Sequence, residues 1–229
     1  MLGVCMLGSA LSGCGFVANP MQYMKDADKE LAAWMEERGY QFSSANSINI
    51  GRLVPQIVYY VYAYGSLDRI YTDPAAAVKR ADAQTGVVLN RAQQYVWERG
   101  NKKTKLQMNI EDVPESIRTA NWKKKELQDS LGDMGTVIDL TGCTLDNVLY
   151  EVSAQRPVIA KTGENSSVVI VGYDEYNTYL YDPATGQISP YGMNDSTALF
   201  ESAGNVFLTY IENAVSYTHL RAHETEADL

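Results

Sequence analysis

The chain is short of histidine and cysteine, and both shortages narrow its chemistry. Its 229 residues hold two histidines, His219 and His223, both close to the C-terminus. Upstream of them there is no imidazole to act as general base or metal ligand near neutral pH. The three cysteines, Cys5, Cys14 and Cys143, have no CxxC spacing, so neither a zinc ribbon nor a disulfide framework is legible. No apolar run reaches the roughly 18 residues of a membrane-spanning helix. Basic residues are in deficit, 19 against 28 acidic, for a net charge of −9. That argues against nucleic acid as a partner, because binding it needs a basic surface to displace phosphate counterions. There is no Walker-type loop, GxGxxG fingerprint, HExxH or EF-hand, so no cofactor and no metal is implied.

What is present is an ordinary globular composition, 45% apolar and 21% charged, long enough for one large domain or two small ones. Tyrosine outnumbers phenylalanine, 16 to 4. A tyrosine ring buries well but its hydroxyl needs a partner or water, which suits half-exposed strands and peptide- or glycan-contacting surfaces.

Residues 1–20 are small and apolar, and Leu11-Ser12-Gly13-Cys14 fits a lipobox, with Cys14 the lipidated residue. The basic segment that should precede a lipobox is missing, so a buried glycine-rich helix stays open as the alternative. A lipid anchor at Cys14 is the one membrane association expected. Residues 21–100 read as a small α+β module. Its helix over 21–38 has apolar residues at Tyr23, Met24, Ala27, Leu31, Trp34 and Met35 and a terminating Gly39. Ile57–Tyr64 is β-branched and aromatic and reads as a strand. Ile48, Ile50, Val58 and Tyr60 stand 90 residues before Ile138, Leu140, Val148 and Tyr150, and the second set enters a helix, which keeps a helix open for the first. Asp73-Pro74 starts a helix to Ala83, since Asp caps and Pro fits the first helical position. Val87–Leu89 and Tyr95–Trp97 follow as short strands. Residues 101–135, with Lys102-Lys103 and Lys123-Lys124-Lys125, read as a charged linker.

Residues 136–214 carry the clearest pattern. Val137–Leu140 is a strand, Thr144 caps a helix to Ala154, and Pro157–Ala160 is a strand. Ser167–Tyr173 is almost continuously apolar, so it should be buried on both faces. Turns at Asp174–Asn177 and Asp182–Gly186 bracket Thr178–Tyr181, a short helix runs to Ser202, and Val206–Ile211 closes the sheet. The expected fold is α+β, with helices on one side of a mainly antiparallel sheet and a small α/β region before it.

The tail from Val215, VSYTHLRAHET, resembles a translated transposase-end sequencing adapter. Residues 215–229 are therefore expected to be artefactual and take no part in the fold reading.

The run Arg156-Pro157-Val158-Ile159-Ala160, then SSVVIVGYD from Ser166 to Asp174, a hairpin, and YDPATG from Tyr181 to Gly186 resemble the second half of the double-glycine-leader peptidases. These are papain-like cysteine peptidases of family C thirty-nine, and the resemblance runs over roughly Leu140–Ile211. It implies a papain-like half-domain and a site built from a thiolate, an imidazole that activates it and a carboxylate that orients the imidazole. The family's histidine falls at Ser166, or at Ser167 if the register slips by one, and serine is no base near neutral pH. The orienting aspartate falls at Asp182, which also has a simpler role, opening a turn before Pro183. Cys143 precedes a helix, yet it stands in the later half of the pattern, where the family keeps no nucleophile. A buried thiol beside the Thr144 cap is the plainer reading of it. Cys14-Gly15 is only faintly like the family's Cys-Gly.

Three functions remain in view. The first is a non-catalytic cysteine-peptidase-like domain of a bacterial extracytoplasmic protein, in the cell envelope or secreted, that binds a peptide or protein partner or serves as scaffold. In it Ser166 and Asp182 are vestigial positions. The second is an active papain-like peptidase completed by residues outside this sequence. The third is a glycan- or peptidoglycan-binding surface protein with the tyrosine-rich module as its contact.

Overall fold

A computed structural model describes residues 58–100 and 102–213, in two compact units that divide between Asn101 and Lys102. The expectations for Cys14, for the helix over 21–38 and for the tail from Val215 lie outside the described residues.

In the first unit, β1 (Tyr59–Ala63), β2 (Ser66–Tyr71), β3 (Val87–Asn90) and β4 (Tyr95–Glu98) form an antiparallel sheet in the order β2-β1-β3-β4. Helix α1 (Pro74–Ala83) packs on β1 and β3. The segment read as strand or helix is therefore strand. All five residues of β1 are buried, as a central strand covered by a helix requires. Tyr64 and Gly65, both at positive φ (53° and 80°), make the tight turn into β2. Asp73 caps α1 by accepting from the Ala75 and Ala76 N–H groups, each at 3.2 Å, and Pro74 fills the first helical position.

The second unit contains β5 (Leu106–Gln107), α2 (Glu115–Arg118), α3 (Lys124–Leu131), β6 (Gly135–Asp139), α4 (Leu145–Ser153), β7 (Val158–Lys161), β8 (Ser167–Tyr173), β9 (Asn177–Asp182), β10 (Gln187–Gly192), α5 (Met193–Ser202) and β11 (Phe207–Glu212). The strand order is β10-β9-β8-β7-β11-β6, and β5 joins β8 beyond the end of β7. Every pairing is antiparallel, so the fold is α+β. The three strands read from the alternation of apolar runs and turns, β7, β8 and β9, are neighbours in register, with Ile159 opposite Val169 and Val169 opposite Tyr181. Thr144 caps α4 in a reciprocal box with Asn147.

Residues 102–134 are not a linker. Val113, Ile117, Ala120, Leu127 and Leu131 are buried in this unit. They also change the expected layering. Ser167 and Lys161 face each other across the β7–β8 ladder. The Ser167 hydroxyl donates to the Ala120 carbonyl, and the Lys161 ammonium lies 4.3 Å from the centre of the Trp122 ring. Thr178, on the opposite face of the sheet by strand alternation, meets Ser196 of α5 at 2.7 Å. Both faces of β8 are therefore covered, one by α4 and α5 and the other by the 113–122 segment. The apolar run of β8 required this, and the charged segment supplies the second cover.

Two details complete the frame. The Gln128 side chain acts as a strand edge for β6: its amide donates to the Gly135 carbonyl at 3.0 Å and accepts from the Val137 N–H at 2.8 Å. Glu151 of α4 is wholly buried, and its Oε2 lies 2.6 Å from Nε of Arg156.

Candidate functional site

Ser166 lies in the connection between β7 and β8. Its hydroxyl accepts from the Thr162 hydroxyl at 3.0 Å, and its carbonyl accepts the Thr162 N–H at 2.9 Å and the Gly163 N–H at 3.3 Å. A Cβ at Gly163 would sit 2.7 Å from the Ser166 hydroxyl oxygen, so a side chain there would push that hydroxyl aside. Ser167, the alternative register, spends its hydroxyl on Ala120. The Ser166 and Ser167 side chains thus close a hairpin and tie down a covering segment.

Asp182 ends β9. Its two carboxylate oxygens accept from the Ala184 N–H at 2.8 Å and the Thr185 hydroxyl at 3.2 Å, and its carbonyl accepts the Gly186 N–H at 2.8 Å. Gly186 follows at φ +68°, a conformation glycine adopts freely. Both oxygens are taken by the turn that Asp182 opens. Cys143 is fully buried, with its N–H on the Leu140 carbonyl at 3.0 Å, just before the Thr144 cap. Ser166, Asp182 and Cys143 exchange no hydrogen bonds with one another, and residues 58–213 contain no histidine. Among the described residues no group of His, Cys, Asp and Glu could hold a metal ion.

The second unit also carries a groove of about 460 Å³ that sequence reasoning missed. Leu145 and Leu149 of α4, Met193 at the start of α5 and Tyr173 at the end of β8 give it apolar surface. Lys102 to Thr104 form one wall. That strap is held by the Lys103 N–H on the Ser153 hydroxyl (2.9 Å) and by the Tyr173 hydroxyl on the Lys103 carbonyl (2.7 Å). The Lys102 ammonium pairs with Asp146 and lies 5.7 Å and 5.6 Å from the Tyr150 and Tyr173 ring centres.

The other wall is the β8–β9 turn. Asp174 accepts from the Tyr179 hydroxyl at 2.7 Å and from the Tyr176 and Asn177 N–H groups at 2.8 Å each. These bonds, the tyrosine hydroxyl foremost, hold its carboxyl below the usual range, and the same contact pushes the Tyr179 hydroxyl up. The Met193 N–H donates to the Tyr176 carbonyl at 2.7 Å, which fixes the turn against the start of α5. Glu175 and Tyr176 are left exposed, Tyr176 at 70%. The lining residues come from four separate stretches of chain, which is why no local motif announced them. A groove of this size takes a small ligand or a side chain of a peptide.

No family profile matches the chain, and no curated protein matches it significantly. Among solved structures it is similar to a crystal structure described as that of a C39-like peptidase from Bacillus anthracis. The identity is 16% and the TM-score 0.34, over 39% of this chain and 57% of that one. The chain therefore spans little more than half the length of that protein, and a likeness this low fixes neither fold nor function.

Proposed function

We propose that the second unit is a non-catalytic cysteine-peptidase-like domain that works by binding a peptide or protein partner, within an extracytoplasmic bacterial protein. The observation that carries this reading is the use made of the family's two catalytic positions. Ser166 holds Thr162 in a hairpin, and Asp182 spends both oxygens on its own turn. An acyl-transfer site needs the opposite arrangement, with a base whose lone pair faces a nucleophile and a carboxylate that accepts the base's N–H and so orients it. Cys143 supports the same reading: its thiol is buried from solvent, and residues 58–213 hold no imidazole that could activate it. The lipobox at Cys14 is the sequence feature behind the extracytoplasmic assignment.

The test is labelling of the full chain with a thiol-reactive peptide-aldehyde probe, beside a Cys143→Ser control. Equal background in both is expected. Labelling that vanishes in the control would show a live thiol and reverse the reading.

A further inference from the structure

From Thr162 to Asn213 the chain has seven carboxylates and no lysine, arginine or histidine. This half of the second unit gives the groove Tyr173, Asp174 and Glu175 at the β8–β9 turn and Met193 and Thr197 of α5. Charges on the groove are not equally available. Lys102 and Asp146 neutralise each other, and Asp174 is saturated by its own turn. Glu175 is exposed and makes no ion pair among the described residues, and beside it stands the exposed ring of Tyr176. Lys103 is exposed on the far wall.

We infer that the groove takes a lysine- or arginine-bearing segment of an extended polypeptide partner. This inference rests on the binding function proposed above and names the partner's chemistry. Met193, half-buried, offers apolar surface for the methylene stem of a long basic side chain, over a floor formed by the nearly buried Leu145 and Leu149. Glu175 offers its charged head a carboxylate, and Tyr176 offers a ring face. The carboxylates of residues 162–213 attract such a segment over a longer range, opposed by Lys103 on the far wall, and salt weakens that attraction. An acidic segment meets the reverse field.

The test uses the full chain and two fluorescein-labelled decapeptides, one alternating Lys and Leu and the other alternating Glu and Leu, followed by fluorescence anisotropy. Saturable binding of the lysine peptide alone is expected, weakening as salt is raised. Glu175→Lys should weaken it about fivefold or more, the effect of turning an attractive surface pair into a repulsive one. Glu201→Lys makes the same charge change at an exposed site outside the groove, and should leave binding within about twofold. Equal binding of both peptides, equal loss in both variants, or no saturable binding of the lysine peptide would overturn the inference. Mass spectrometry of the recovered peptide separates the two proposals: a cleaved peptide contradicts the non-catalytic reading and leaves the charge preference standing.

Discussion

The buried Glu151–Arg156 pair allows a sharp test of the packing described for the second unit. Glu151 is 0% exposed, whereas the Arg156 side chain keeps 21% of its surface in solvent. Burial holds the Glu151 carboxyl above the usual range, and the arginine opposes that shift. The two partners should therefore respond unequally to removal. Arg156→Ala strands a carboxylate in the core, which costs about 3–5 kcal/mol, a large share of the roughly 5–15 kcal/mol that holds a domain folded. Glu151→Met leaves an arginine already near water and fills the site with an apolar chain of similar size, so its effect should fall within about 1 kcal/mol of zero.

The pH dependence follows from the sign of the shift. A carboxyl whose folded pKa lies above its unfolded value contributes fully below the unfolded pKa, and that contribution is lost as pH rises through the folded pKa. Removing Arg156 moves the folded value higher still, at about 1.4 kcal/mol per pH unit of separation. Urea unfolding of the full chain and both variants from pH 4 to pH 8 checks this. The Arg156→Ala deficit should widen as pH rises, and Glu151→Met should flatten the profile. An Arg156→Ala curve that tracks the parent at every pH, or a Glu151→Met variant less stable than Arg156→Ala, would refute the reasoning.

Three further predictions follow from the same geometry. Gln128→Ala removes both bonds that screen the β6 edge, so stability should fall by about 1–2 kcal/mol and light scattering at high protein concentration should rise. Gly172→Ala places a Cβ 2.4 Å from the Leu106 carbonyl oxygen; amide exchange at 106–108 should quicken as β5 leaves β8, and an unchanged exchange pattern would count against the pairing. Tyr179→Phe removes the first cause of the lowered Asp174 pKa. A lowered carboxyl contributes stability that is lost as pH falls through its folded pKa, so this variant should show a shallower acid limb in thermal melts.

The β8–β9 hairpin was legible because the Asp174–Asn177 turn between its apolar runs is short enough to favour antiparallel neighbours, and the Asp182-Pro183 turn marks where β9 ends; the Thr144 cap was legible for a similar local reason. The 102–134 segment was not. Its buried residues come as spaced pairs, Val113 with Ile117 across the start of α2 and Leu127 with Leu131 within α3, in a stretch rich in lysine. Composition weighed the lysines, which lie on the surface, and missed the four-residue spacing of the apolar pairs. Ser166 and Asp182 could be located from the motif they interrupt, and their hairpin and turn roles are local. The groove could not be read in advance, because Lys102, Leu149, Glu175 and Met193 become neighbours only once β8, α4 and α5 have packed together.

Under the function proposed above, Ser166 and Asp182 shape their hairpin and turn and take no part in acyl transfer. Incubation of the purified full chain with a mixed peptide library, read by mass spectrometry against a Cys143→Ser control, addresses this most directly. The account predicts identical peptide profiles for the two proteins and for buffer alone. New cleavage products made by the parent chain and absent from the Cys143→Ser control would contradict it.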